Sequence, residues 1–302
     1  MNAVIVTGAT SMLGIATILK CVENHVRVIA LSRRNSQRKK YLPQSELLSF
    51  IECDLNELNK IILPEQSYDV FYHFGWSFTD RTTRDDPVLQ SKNIKYTLDA
   101  VQMAHKYGCK KFMGAGSQAE YGFHNEMITE DTPVKPEICY GYAKYAAGKL
   151  AENLCDKLGI ICIWTRTFSV YGRYDGENTM ISYALQQYRK NEPAMFSSGI
   201  QMWDFLFEED AGEYFYLLGE KADRSITVNI ASGDVRLLRE YIEDMADVLN
   251  ESHMNRFFQY ELRESEDTLL NGIYPNVDRL REITGYIPQT GFKDGIKKIW
   301  KT

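Results

Sequence analysis

The chain opens on an unbroken apolar run, Ala3-Val-Ile-Val-Thr7, and the same texture returns at 26–31, 48–53, 69–74, 111–115 and 160–165. Runs of this length without alternation predict strands buried on both faces of a parallel sheet. Between them the period changes. After the first run, Leu13, Ala16, Ile18 and Leu19 fall at helical spacing over 11–21. Before the last run, Ala143, Ala146, Ala147, Leu150, Leu154 and Leu158 form one apolar stripe. Gly159 supplies the stop expected after that helix. Strand–helix alternation over the first 170 or so residues predicts an α/β fold, a doubly wound parallel sheet with right-handed crossovers.

Beyond Gly172 the pattern is mixed and richer in Tyr, Glu and Met. Residues 203–207 and 226–230 still read as strands that could return to the main sheet. The expected organisation is a nucleotide-binding domain over 1–172 plus about 201–232. A smaller C-terminal substrate lobe would be built from about 173–200 and 233–302. Repeats and low-complexity linkers are absent from the sequence.

Composition narrows the class. With 44% hydrophobic and 25% charged residues, 302 residues are ample for a core. A net charge of −6 disfavours a nucleic-acid or anionic-membrane partner, because phosphate neutralisation needs a basic surface. No apolar run approaches the roughly 20 residues of a membrane span. The six cysteines, Cys21, Cys53, Cys109, Cys139, Cys155 and Cys162, form no CxxC pair and none stands at ligand spacing beside a histidine. Free thiols and a cytoplasmic setting are expected, with no metal.

Three motifs carry candidate chemistry. Thr7-Gly8-Ala9-Thr10-Ser11-Met12-Leu13-Gly14 sits where the first strand turns into the first helix. Glycine there lets backbone approach a pyrophosphate at a helix N-terminus, although the GxxSxxG spacing is neither GxGxxG nor a Walker loop. Tyr140 and Lys144 lie four residues apart, on one face of a helix. An ammonium beside a phenol favours phenolate, which would make Tyr140 a proton donor near neutral pH. Ser117, in Gly116-Ser-Gln-Ala-Glu-Tyr-Gly122, ends a strand and can face the cleft in which such sheets bind ligands. Each motif alone has a structural alternative: a tight turn, a chance YxxxK, a turn serine.

Taken together and in this order, the motifs resemble the extended short-chain dehydrogenase/reductase family, the nucleotide-sugar epimerases, dehydratases and ketoreductases. The resemblance covers nearly the whole chain. It includes Asp54-Leu55, His73-Phe-Gly-Trp76, Asn93 opening a helix, Arg166-Thr-Phe-Ser-Val-Tyr-Gly172, Trp203-Asp-Phe-Leu-Phe-Glu-Glu-Asp210 and Gly285-Tyr-Ile-Pro288. It implies a Rossmann-type fold, with Ser117, Tyr140 and Lys144 as catalytic residues. Tyr140 would act as acid or base, Lys144 would lower its pKa and hold the nicotinamide ribose, and Ser117 would orient the carbonyl. The cofactor would lie along Gly8, Thr10, Ser11, Met12, Leu13, Gly14, Asp54, Leu55, Phe74, Gly75, Trp76 and Asn93. The substrate, a nucleotide sugar, would meet Trp76, Ser77, Ser117, Gln118, Tyr140 and Arg173. A homodimer built on helices 93–107 and 140–158 is also implied.

Departures from the family pattern sharpen the expectation. Ser11 replaces a glycine. The second strand ends Ala30-Leu-Ser-Arg-Arg34 with no acid to grip a ribose 2′-hydroxyl, so Ser32, Arg33 and Arg34 suit the 2′-phosphate of NADP; NAD is the alternative. Gln118 and Ala119 stand where the family's 4,6-dehydratases carry Asp-Glu, which argues against dehydration. Trp203 stands where many members carry an arginine for the substrate diphosphate, so either another cation, Arg173 or Arg279, serves there or the substrate differs; Trp203 could equally pack against the main sheet. The leading expectation is NADP-dependent reduction of a 4-keto, 6-deoxy nucleotide sugar, with hydride to C4 and a proton from Tyr140. Alternatives are a 4-epimerase that holds NAD tightly and a non-catalytic NADP-binding regulator.

Overall fold

The computed structural model describes residues 1–64, 67–124, 126–177, 179–249, 258–260 and 272–301. Part of the expected C-terminal lobe, including 250–257 and 261–271, lies outside the described residues. The six apolar runs form strands β1 (Ala3–Thr7), β2 (Arg27–Ser32), β3 (Leu48–Glu52), β4 (Val70–His73), β5 (Lys111–Ser117) and β6 (Ile161–Thr167). Every residue of β1 is buried, as the absence of alternation requires. Helix α1 (Met12–Glu23) follows β1, α2 (Pro87–Lys106) precedes β5, and α3 (Cys139–Leu158) precedes β6. Gly159 closes α3 in the left-handed region, φ 68°.

After β6 the chain leaves the sheet through β7 (Ser169–Tyr171), α4 (Met180–Arg189), β8 (Ala194–Phe196), β9 (Met202–Trp203) and β10 (Phe205–Phe207). Helix α5 (Glu208–Lys221) and β11 (Ile226–Ile230) come next, then β12 (Arg236–Leu237) and α6 (Leu238–Val248). The main sheet is parallel, in the order β11-β6-β5-β4-β1-β2-β3. Residues 226–230 return to it as an edge strand. Residues 203–207 do not. Phe205–Phe207 pairs with Ser169–Tyr171, and Met202–Trp203 pairs antiparallel with Arg236–Leu237. Both are short separate ladders, and the edge of the main sheet beside β6 is already taken by β11.

Residues from α1 and α5, including Ile18, Cys21, Ala211, Phe215 and Leu218, pack in one core layer. Residues from α2 and α3, including Val101, Ala104, Ala151 and Cys155, pack in a second. A third cluster, around Tyr171, Phe207, Tyr241 and Phe292, belongs to the segments after β6. The strand order reverses between β1 and β4, so the loops leaving these two strands diverge and open a cleft at their C-terminal ends. The six cysteines are free thiols. No helix among the described residues is long and apolar enough to cross a membrane.

Candidate active site

The floor of the cleft is made by the turn between β1 and α1. Gly8 has φ +64°, and a Cβ there would lie 2.5 Å from the Gly75 nitrogen. A Cβ on Gly14 would lie 2.3 Å from the Gly8 carbonyl oxygen. The turn after β1 and the loop after β4 therefore approach as only glycine allows. Ser11, in place of the family glycine, caps α1: its hydroxyl accepts from the Gly14 N–H at 3.1 Å. Gly75 packs on Leu55, whose Cδ2 would stand 2.6 Å from an added Cβ. Asp54 caps the short helix that begins at Leu55 through its backbone, with no side-chain cap bond.

At the end of β2, Ser32 is buried and its hydroxyl meets Thr10 Oγ1 at 2.7 Å, which in turn accepts from Ser36 at 2.9 Å. Arg33 and Arg34 are exposed, and Arg34 reaches Glu57 at 3.4 Å. Arg38, unassigned from sequence, is half-buried and donates to the Tyr174 carbonyl, joining the basic loop to the segment after β7. Residues Thr10, Ser32 and Ser36 thus form a hydroxyl chain with guanidiniums just outside it.

The loop after β4 is held by α2. Asn93 lies inside α2 rather than opening it, buried, with both amide ends on Ser77: it accepts from the Ser77 N–H at 2.8 Å and donates to its carbonyl at 3.0 Å. Asn93 shapes the cleft by fixing this loop. Gln90 acts alike, accepting from Trp76 Nε1 at 3.0 Å and donating to the Phe78 carbonyl at 2.7 Å. His73 bonds Thr7 at 2.7 Å; complete burial drops its pKa to about 3, so it stays neutral.

Ser117, Tyr140 and Lys144 come together from β5 and α3 on the wall of a cavity of about 490 Å³. Ser11, Met12, Leu13, Phe74, Trp76 and Gln118 line the same cavity. The buried Ser117 is fixed twice: its hydroxyl accepts from the Ala119 N–H at 3.2 Å, and its own N–H donates to Glu120 Oε1 at 2.9 Å. Glu120 is a hub that sequence reading passed over. It also accepts from Trp164 Nε1 and Arg166 Nε, both at 2.9 Å, with no exposure of its own. The signal was there, since an arginine directly after the apolar run 160–165 demands a buried carboxylate partner.

Lys144 is 4% exposed, donates to the Ala115 carbonyl at 2.5 Å and stands 3.7 Å from the centre of the Trp76 ring. Burial lowers its pKa to about 7. The sequence expectation of a phenol pulled down by this ammonium is reversed in the protein alone. Burial pushes Tyr140 above its ordinary value, and the groups that pull it back are Arg84 and the Ser117 hydroxyl. Lys144 lies 5.6 Å from the Tyr140 ring centre and turns toward Ala115 instead.

Two polar atoms on the cavity wall, Thr167 Oγ1 and Gln118 Oε1, are buried with no partner among the described residues, and Thr167 is only 9% exposed. Such atoms call for a ligand. A second cavity, of about 420 Å³, adjoins the first at Phe168, Val170 and Asp175, and is lined also by Trp203 and Phe205. The Trp203 indole N–H is buried and has no partner among the described residues. Arg173 turns to Glu208 at 2.8 Å and Glu209 at 2.5 Å, and Arg279 to the Thr227 carbonyl and Asp131. A substrate phosphate at either arginine would have to displace a carboxylate.

A glycine turn at the switch point of a parallel sheet, beside a serine, a tyrosine and a lysine on one cavity wall, defines a dinucleotide-dependent enzyme of the Rossmann class. The cradle at Gly8 and Gly14 and the unpartnered hydroxyl of Thr167 fit such a cofactor. Residues 4–231 match the model of the NAD dependent epimerase/dehydratase family, and the chain belongs to that family. The chain is 24% identical to dTDP-4-dehydro-6-deoxyglucose reductase of Escherichia coli, with 100% of this chain and 97% of that protein covered. It is 25% identical to UDP-glucose 4-epimerase of Mycolicibacterium smegmatis, covering 97% and 96%. Among solved structures, UDP-N-acetylglucosamine 4-epimerase from Methanobrevibacter ruminantium, in complex with UDP-N-acetylmuramic acid, superposes with TM-score 0.87 at 20% identity over 99% of this chain and 97% of that one. UDP-glucuronic acid 4-epimerase from Bacillus cereus, in complex with NAD, superposes with TM-score 0.82 at 18% identity, covering 99% and 97%.

Proposed function

We propose that the protein reduces the 4-keto group of a 6-deoxy nucleotide sugar with NADPH. The observation that carries this reading is the end of β2: a buried serine hydroxyl followed by exposed Arg33 and Arg34, and no carboxylate to hold a free 2′-hydroxyl. The full-length similarity to a 4-keto-sugar reductase agrees with it. In this reading Gly8, Thr10, Ser11, Met12, Leu13 and Gly14 bind the dinucleotide phosphates, with Asp54, Leu55, Phe74 and Gly75 along its adenosine half. Lys144 and Trp76 hold the nicotinamide ribose. The bound nicotinamide supplies the reducing equivalent. Ser117 orients the substrate carbonyl, Tyr140 gives its proton to the carbonyl oxygen, and Gln118 and Trp76 flank the sugar. Gln118 and Ala119 leave no acid pair there for eliminating water. The nucleotide portion occupies the second cavity, against Trp203.

A 4-epimerase with resident NAD is the second reading. Arg34 already has a carboxylate partner in Glu57, which weakens its claim on a phosphate. Paired titrations decide between them. NADPH is expected to bind about tenfold to a hundredfold more tightly than NADH. Replacing both Arg33 and Arg34 by alanine removes that margin and leaves NADH affinity nearly unchanged. Equal affinities in the wild-type protein, or oxidised NAD retained through purification, would favour the epimerase. We further propose a homodimer through α2 and α3, in a reducing cytoplasm that suits six free thiols.

A further inference from the structure

Arg84 is an exposed residue of the loop between β4 and α2, outside every motif described above, yet it reaches the proton-transfer site. Its guanidinium carbon stands 4.3 Å from the centre of the Tyr140 ring, and its side chain lines the cavity that holds Ser117 and Lys144. The backbone that carries it is fixed from both sides. The Thr83 carbonyl accepts from the buried Gln90 amide at 3.2 Å. Asp85 accepts from the Cys139 N–H at 2.8 Å, tying the loop to the residue before Tyr140. Asp86 caps α2, accepting from the Val88 and Leu89 N–H groups, each at 2.9 Å. Three anchors, at Thr83, Asp85 and Asp86, flank one exposed arginine and set it on the face of one phenol.

We propose that Arg84 is a positioning residue for proton transfer at Tyr140, its fixed positive charge stabilising the phenolate that remains when the proton leaves. This rests on the reading of Tyr140 as the proton donor. In that step the Tyr140 O–H bond breaks, a new O–H bond forms on the substrate oxygen, and the electron pair stays on the phenolate. Other charged groups also lie around Tyr140. Glu120, from the turn after β5, opposes ionisation. Lys144, on α3, is brought toward neutrality by burial and bonded to Ala115, and Asp85 and Asp175 are carboxylates near the helix start and on the cavity wall. A guanidinium keeps its charge throughout, and this one, itself exposed and screened by solvent, is worth about 0.5–1 unit of phenol pKa.

The test is an NMR titration of protein labelled at tyrosine Cζ and saturated with oxidised cofactor, with the Tyr140 signal assigned by its loss in Tyr140→Phe. In Arg84→Met the Tyr140 titration should move up by about 0.5–1 unit, while Arg84→Lys stays within about 0.3 unit of wild type. The variants should keep the wild-type thermal midpoint, because the side chain is exposed. An unmoved titration in Arg84→Met overturns the proposal. So does a rise in substrate KM with the titration unmoved, which would make Arg84 a substrate ligand. The underlying reading fails by a separate result, turnover retained in Tyr140→Phe, which leaves the titration comparison intact.

Discussion

At the scale of single residues, the site works through groups that burial has moved away from their ordinary protonation. Lys144 is the plainest case. Its ammonium has one carbonyl and one indole face for company, and desolvation brings its pKa to about 7. In the unfolded chain the same group titrates near the usual lysine value of about 10.4. Below about pH 7 it is charged in both states and the cost of burying the charge is present in full. Between the two values the unfolded state binds the extra proton, so the stability contributed by this residue rises with pH. The expected outcome is that Lys144→Met gains most over wild type near neutrality and loses that advantage as pH approaches 10. Urea unfolding of the cofactor-free protein across that range measures it. A difference between the two proteins that does not vary with pH would contradict a neutral buried lysine.

At the scale of elements, function depends on how closely two loops approach. The β1–α1 turn and the loop after β4 touch at Gly8 and Gly75, and a methyl group on Gly8 meets backbone, which cannot yield as a side chain could. Its φ of +64° adds conformational strain for any other residue. Gly8→Ala should therefore cost more than about 1 kcal/mol of stability. It should also weaken cofactor binding by more than that stability loss alone explains, because the displaced segment is the phosphate cradle. Chemical denaturation and a cofactor titration on the same variant separate the two effects. A variant as stable as wild type with unchanged cofactor affinity would mean that the turn has room the structure does not show. The short ladders tell the complementary story. Residues 203–207 have the composition of a sheet strand, but Phe205–Phe207 pairs with Ser169–Tyr171 and Trp203 with Arg236, and so Trp203 and Phe205 come to the second cavity.

At the scale of the whole molecule, the outward surfaces of α2 and α3 remain to be accounted for. Both helices bury one side against the sheet, yet Val88, Tyr142 and Leu150 are 67%, 58% and 47% exposed. Large apolar groups on two adjacent helices suit a two-fold interface, in which the same face meets itself. Light scattering at micromolar concentration should return twice the 34.9 kDa chain mass. Tyr142→Glu with Leu150→Glu should return the single-chain mass with secondary structure retained. A wild-type monomer would remove the proposal.

The sequence by itself determined the sheet, because a strand buried on both faces must be apolar throughout and a covering helix must be striped. It also determined which residues of the β1–α1 turn, β5 and α3 could meet at the strand ends, since a parallel sheet places all its strand–helix turns on one edge. Charge was not legible in the same way. Tyr140 and Lys144 are one helical turn apart in any helix, but their protonation depends on what encloses them. Only the tertiary structure showed the lysine turned to Ala115 and an arginine from another loop laid on the phenol. The Glu120–Arg166 pair and the capture of Arg173 by Glu208 and Glu209 were likewise decided there. Hydrophobic pattern is a local property of the chain, whereas desolvation and pairing of charge depend on neighbours distant in sequence, and those exist only once the chain has folded.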